Sequence, residues 1–185
     1  QESCIPMPYR EIASEVLYIA KQAGKQIMQH YRDDVVVRLK EDNSPVTLAD
    51  TEASAFIVRE LLMLRPDIFP VSEEQDETIN EKALSENLFW LIDPLDGTKS
   101  FIKRKGDFTV NIALIKNGIP IGGAIYVPRS DISYFTAEDG LVYKQDGNNL
   151  PIVIGVRSEL EGGKVVVASL SHANSETKVY IDSLE

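Results

Sequence analysis

Ile12, Val16, Ile19, Ala20, Ala23 and Ile27 recur at intervals of three and four, the spacing that lines one face of an α-helix, and they predict a helix from about Tyr9 to Tyr31. Gly24 falls inside it, where glycine costs about 1 kcal/mol relative to alanine, so close packing on that face is the expected reason for it. A second helix is read over Thr47 to Leu64, with Ala53, Phe56, Ile57, Leu61 and Leu64 inward and Pro66 ending it. Val35 to Leu39 reads as a strand between them. Short apolar runs at Ile68 to Ser72 and Phe89 to Ile92 are further strands, and each hands the chain to carboxylates at its end. Phe108 to Lys116 and Ile119 to Val127 flank Asn117-Gly118, a strong type I′ hairpin signal, and a second hairpin is expected around Asp139-Gly140. The pattern is an α+β fold, helices packed on an antiparallel-rich sheet. Lys144 to Asn149 is the best linker candidate, with a weak domain boundary near Ile154 to Gly163. The expected division is residues 1–158 and 159–185.

Composition narrows the classes. With 185 residues, 43% hydrophobic and 26% charged, the chain can bury a core for one full domain and part of another. The 29 acidic and 19 basic side chains give a formal charge of -10, which argues against a broad phosphate-contacting surface for polymeric nucleic acid. A small nucleotide held through metal ions remains compatible. The single cysteine, Cys4, excludes an intrachain disulfide and fits a reducing compartment, so the cytoplasm is the expected location. No apolar run approaches the roughly 18 residues of a membrane span, and no signal-like segment opens the chain. Oligomeric state is left open.

Candidate chemistry concentrates in Trp90-Leu91-Ile92-Asp93-Pro94-Leu95-Asp96-Gly97-Thr98-Lys99-Ser100-Phe101. Asp93 and Asp96 would repel by about 4 kcal/mol if held near 4 Å apart at an effective dielectric of 20, so a fold that places both there calls for a cation. Oxygen-only ligands point to Mg²⁺, with Mn²⁺ as the alternative. Gly97 lets backbone approach a ligand closely, and the N–H groups of Gly97, Thr98 and Lys99 at the start of a short helix are candidates for phosphate oxygens. The plain alternative is a turn, since Asp-Pro and Asp-Gly are common turn dipeptides. Two more acidic clusters lie upstream, in Phe69-Pro70-Val71-Ser72-Glu73-Glu74 and Ser44-Pro45-Val46-Thr47-Leu48-Ala49-Asp50.

The order Asp, Glu-Glu, then Asp-Pro-Leu-Asp-Gly-Thr resembles the inositol monophosphatase superfamily of Mg²⁺-dependent, lithium-sensitive phosphatases. Within it, Lys99 after Asp-Gly-Thr and the run Phe108 to Ile115 resemble the bacterial 3′(2′),5′-bisphosphate nucleotidases. The likeness covers about Ile12 to Tyr180. It implies a layered αβαβα sugar-phosphatase-like fold, with the first domain complete. It also implies a truncated second domain, because the family's later Trp-Asp motif, whose aspartate is a metal ligand, does not occur here; Trp90 is the only tryptophan. Val165 to His172 resembles the opening strand of that second domain, followed by a helix over Asn174 to Leu184.

By the same resemblance Glu73, Asp93 and Asp96 bind metal, two or three ions, with the Leu95 carbonyl as a further oxygen. Asp50 and Thr98 form the water-activating pair, and Gly97, Thr98 and Lys99 face the substrate. Each has a structural alternative. Glu73 fits a solvated acid after a strand, Glu74 is read as a second-sphere ligand or a surface charge, and Thr47-Leu48-Ala49-Asp50 matches a capping box, a role expected to compete with catalysis at Asp50. Lys40 is read as added positive potential or an ordinary loop lysine, His30 as a helix-end residue, and His172 as a substrate contact or a plain loop histidine. The implied reaction is in-line hydrolysis of a phosphate monoester, 3′-phosphoadenosine 5′-phosphate giving AMP and phosphate. Inositol monophosphate and fructose 1,6-bisphosphate are alternative substrates, and a non-catalytic metal-binding fragment is the alternative from another class.

Overall fold

The computed structural model describes residues 7–31, 37–40, 45–157, 166–169 and 174–184. By contacts the chain divides into two compact units, Gln1–Ile154 and Gly155–Glu185. In the first, α1 (Met7–Arg10) and α2 (Ala13–His30) precede a two-stranded antiparallel pair, β1 (Val37–Leu39) and β2 (Pro45–Thr47), and then α3 (Leu48–Leu64). The segment expected as one helix is thus two, because Ile12 adopts φ -122°, ψ 9° and breaks the ladder between them. There follow β3 (Phe69–Ser72), α4 (Glu77–Leu84), β4 (Leu88–Asp96), α5 (Thr98–Lys103), β5 (Thr109–Lys116), β6 (Ile119–Val127), β7 (Ile132–Thr136), β8 (Val142–Asp146) and β9 (Ile152–Val153).

β3 to β9 form a seven-stranded sheet in chain order, parallel between β3 and β4 and antiparallel elsewhere. The α+β expectation holds in this unit. Asn117 and Gly118 take φ 52° and 77°, as the type I′ turn between β5 and β6 requires. The hairpin near Asp139-Gly140 joins β7 to β8. The proposed linker is corrected: Lys144 to Asp146 belong to β8, and the turn after them leads into β9.

Helices α2 and α3 cover one face of this sheet. Ala13, Val16, Ile19, Ala20, Ala23, Gly24 and Ile27 are buried, and a Cβ on Gly24 would stand 2.4 Å from the Tyr126 ring of β6, so only glycine admits this approach of helix to sheet. Trp90, Ile92, Ile112, Leu114, Ala124 and Tyr126 meet them from the strands. Residues of the opposite parity, including Leu91, Asp93, Asn111, Ala113 and Ile125, border an open groove of about 710 Å³ on the other face. Phe101 of α5 packs edge-on to Phe108, centroids 5.2 Å apart, and 5.4 Å from Tyr31. Burying such a ring is worth about 2–3 kcal/mol, which ties the short α5 to the body immediately after Asp96-Gly97-Thr98.

In the second unit α6 (Ser175–Asp182) is capped by Asn174, whose Oδ1 accepts from Thr177 N at 2.8 Å. Val166 to Ser169 are not in a strand, contrary to expectation, and no buried partner row is described for them. His172 and Cys4 lie outside the described residues. Among the described residues no helix is long and apolar enough to cross a membrane.

Candidate functional site

A separation of three residues puts side chains on opposite faces of a regular strand, so Asp93 and Asp96 need a local irregularity to act together. β4 supplies one. Asp93 pairs with Asn111 and Asp96 with Thr109, three steps on β4 against two on β5, which is a β-bulge at Pro94-Leu95. Thr109 and Asn111 share a face, Asn111 Nδ2 donating to Thr109 Oγ1 at 2.9 Å, so their register partners Asp93 and Asp96 share that face too. Proline fits here because a bulge leaves a residue outside the hydrogen-bond ladder.

Glu73 reaches the same neighbourhood from β3, which runs parallel to β4; Glu73 N donates to Ile92 O at 3.3 Å, one residue before Asp93. Burial, then the charges of Glu73 and Asp96, push the Asp93 carboxyl up to about 7. Among the described residues Asp93 Oδ1 is buried and has no hydrogen-bond partner. A buried carboxylate oxygen left unpaired beside two other carboxylates is a donor set suited to a hard cation, and all its atoms are oxygens. Among the described residues, however, no group of three or more His, Cys, Asp or Glu side chains stands arranged to hold a metal ion. Lys40, following β1, pairs with both glutamates: its Nζ lies 2.6 Å from Glu74 Oε1 and 3.5 Å from Glu73 Oε1. Glu74 has only 8% of its side chain exposed, against 55% for Glu73. Burial raises the Glu74 carboxyl above its ordinary range although Lys40 opposes the shift. Burial alone would lower Lys40, but the hydrogen bond and charge of Glu74, with Glu73 behind them, raise it.

Asp50 sits in the first turn of α3 at 1% exposure. Its two oxygens are divided between two tasks. Oδ2 accepts from Thr47 N at 2.8 Å and from Thr47 Oγ1 at 2.5 Å, completing the capping box, while Oδ1 accepts from Thr98 Oγ1 at 2.9 Å. The expected competition between capping and the Thr98 contact is therefore corrected: each role has its own oxygen. Thr98 Oγ1 also lies 3.3 Å from the Leu95 carbonyl. A hydroxyl has one hydrogen, so with it directed at Asp50 its lone pairs remain to accept.

Gly97 caps α5 at φ 96°, ψ 35°, and an added Cβ would stand 3.2 Å from Asp107 O. That left-handed turn is what aims Thr98 back at Asp50 directly after Asp96. Lys99 is half-buried on α5 beside it. His30 ends α2 with Nε2 2.6 Å from Glu52 Oε2, a helix-to-helix contact apart from this chemistry.

The residues the sequence reading missed stand behind the acids. Ser54, one turn after Asp50 on α3, shares a 2.6 Å hydrogen bond with Ser72 Oγ at the end of β3, both buried. Asn80 on α4 bonds the Ser72 backbone through both ends of its carboxamide. The available signal was Asp76, an N-cap whose side chain accepts from Thr78 N at 2.9 Å and so announces the otherwise weakly patterned α4.

Residues 9–183 match the inositol monophosphatase family. The chain is 44% identical over 178 residues to the 3′(2′),5′-bisphosphate nucleotidase CysQ of Escherichia coli O6:H1, covering 92% of this chain and 68% of that protein. It is 34% identical over 179 residues to the enzyme of the same name from Buchnera aphidicola subsp. Acyrthosiphon pisum, covering 96% of this chain and 66% of that one. Among solved structures it resembles CysQ from Bacteroides thetaiotaomicron, a bacterial member of the inositol monophosphatase family, with TM-score 0.71, 33% identity, 97% of this chain covered and 70% of that chain. It also resembles the extragenic suppressor protein suhB from Bartonella henselae, with TM-score 0.61, 30% identity, 70% of this chain covered and 50% of that chain.

Proposed function

The chain belongs to the inositol monophosphatase family, and we propose that it acts in Mg²⁺-dependent hydrolysis of a phosphate monoester, with a 3′(2′),5′-bisphosphate nucleotide as substrate. The nucleotide assignment rests on the names of the relatives, which share 44% of aligned residues at best among those described, and on Lys99 after Asp-Gly-Thr. The observation that carries the hydrolase reading is the Thr98 Oγ1 to Asp50 Oδ1 hydrogen bond of 2.9 Å, set directly beside the Asp93/Asp96 bulge.

In this reading Glu73, Asp93, Asp96 and the Leu95 carbonyl would hold Mg²⁺. The ion, when bound, withdraws charge from the phosphate and acidifies an attacking water. The chain's own residues do the rest. Thr98 presents a lone pair to a water while its hydrogen is held by Asp50, so it takes the water's proton as it passes its own to the carboxylate. Asp50 is buried, and the Thr47 N and Oγ1 bonds to its Oδ2 fix the carboxylate so that Oδ1 faces Thr98. The backbone N–H groups of Gly97, Thr98 and Lys99, with the Lys99 ammonium, oppose phosphate charge. Lys40 offsets acid charge at the rim. Action in the cytoplasm, on a small soluble nucleotide, is part of this reading.

Phosphate release from 3′-phosphoadenosine 5′-phosphate, inositol 1-phosphate and fructose 1,6-bisphosphate, each with Mg²⁺ and with a chelator, tests it. The expected result is Mg²⁺-dependent release with the highest kcat/KM on the nucleotide. A higher value for inositol monophosphate would move the substrate assignment, and release unaffected by the chelator would overturn the metal role.

A further inference from the structure

Among the described residues β3 is the edge strand of the sheet, so every second residue presents its backbone N–H and C=O away from β4 with no described strand beside it to receive them. Glu73 N turns inward to Ile92 O, so Ser72, one residue earlier, faces the open side. Its groups are nevertheless satisfied. Asn80 Oδ1 accepts from Ser72 N at 3.1 Å and Asn80 Nδ2 donates to Ser72 O at 2.8 Å, the two-bond pattern an adjacent strand would give. The carboxamide orientation is fixed by its partners: Oδ1 also receives Gln75 Nε2 at 3.1 Å, and Nδ2 also points to Gln75 O at 3.4 Å. Gln75 Nε2 closes the ring back to Pro70 O at 3.1 Å, and Gln75 N donates to Ser72 O at 3.1 Å.

We infer that Asn80 is a positioning residue for the Glu73 and Glu74 carboxylates, standing in for a missing strand at the point where β3 leaves the sheet and fixing the backbone from which both acids project. The inference rests on the metal reading given above for Glu73. Asn80 touches neither carboxylate; it acts through Ser72 and Gln75, which bracket them in the chain. Through the Ser72 to Ser54 hydroxyl pair the same clamp is continuous with the α3 face that carries Asp50 one turn earlier. The acids and the proposed base are thereby held on one frame, although they come from different elements.

Calorimetric titration with Mg²⁺ tests this on the wild-type chain and on Asn80→Ala, Asn80→Asp, Ala83→Gly and Asp93→Asn. Ala83→Gly loosens α4 at a buried position without a polar contact to the acidic loop. Removing a partner behind a metal ligand raises the metal dissociation constant by about tenfold or more, the change expected for Asn80→Ala. Asn80→Asp keeps the acceptor for Ser72 N but loses the donor to Ser72 O, and serves if the alanine variant does not fold; it should weaken binding in the same direction. Ala83→Gly should lower the melting temperature and leave Mg²⁺ affinity at the wild-type value. Wild-type affinity in either Asn80 variant, or an equal loss in Ala83→Gly, overturns the inference. Should the wild type bind no Mg²⁺, or Asp93→Asn bind as tightly as wild type, the metal reading falls instead. Amide exchange then decides about Asn80: faster exchange at Glu73 and Gln75 in its variants supports the clamp, and unchanged exchange removes it.

Discussion

Replacing Asp50 by asparagine separates its cap from its proposed role as a proton acceptor. The carboxamide oxygen can sit where Oδ2 accepts from Thr47 N at 2.8 Å, which leaves the amide nitrogen where Oδ1 now meets Thr98 Oγ1 at 2.9 Å. Thr98 can accept that hydrogen and turn its own toward the Leu95 carbonyl 3.3 Å away, so every contact survives with one donor reversed. What the fold loses is a negative charge at a helix N-terminus, worth about 0.5 kcal/mol. Asp50→Ala, by contrast, removes the cap and leaves a buried N–H unpaired, for a combined cost of about 2–4 kcal/mol. At about 2–4 °C per kcal/mol in a domain of this size, scanning calorimetry resolves the two variants easily. Turnover should divide them differently. Asparagine cannot receive the Thr98 proton, so both variants should lose about 10²- to 10⁴-fold in kcat on the nucleotide substrate. Asparagine retaining wild-type turnover would refute the base role, and asparagine melting as low as alanine would refute the division of labour between the two oxygens.

Asp93→Asn should abolish most Mg²⁺ binding while Thr98→Ala keeps it and loses turnover; a calorimetric titration giving equal losses contradicts the assignment of ligand and proton relay. Gly97→Ala should cost about 1–2 kcal/mol from its left-handed backbone alone, with further strain against Asp107 O at 3.2 Å, and thermal melting that matches wild type would show that the turn can relax. Lys40→Met removes the cation now resting on Glu74 and Glu73, so the metal-free protein should melt lower and gain more from added Mg²⁺ than wild type does; a smaller Mg²⁺-induced rise in melting temperature would mean that Lys40 assists the ion rather than standing in its place.

Elements that bury a periodic face were legible in sequence. The α2 positions repeat at three and four because that face meets β6 and α3, and the Asn117-Gly118 turn is dictated by two positive φ angles. α4 escaped for the converse reason: only Ala83 of its eight residues is buried, so no apolar period marks it. β8 reads as a linker because Lys144, Gln145 and Asp146 are polar, yet its backbone pairs on both sides, a stabilisation that side-chain patterning does not report. The acids of the site were visible as residue types at strand ends. That Asp50 could cap and bond Thr98 at once was not, since the division of two oxygens between partners 51 positions apart in the chain is a matter of tertiary placement.

The bulge at Pro94-Leu95 gives this segment an unusual exposure to one kind of inherited change. Side chains at either position can be exchanged while the register of β4 against β5 is kept, and the acids stay on their common face. A single-codon deletion there would let the strand pair without interruption and would keep the acids, then two residues apart, on one face; what it would remove is the looped backbone that holds the Leu95 carbonyl 3.3 Å from Thr98 Oγ1. The ladder would gain by it while the site lost that oxygen's placement. Spacing in this stretch is thus under a constraint that residue-by-residue comparison of substitutions cannot register, and a library of short insertions and deletions, scored separately for abundance and for phosphate release, would find here a position where the two scores part company.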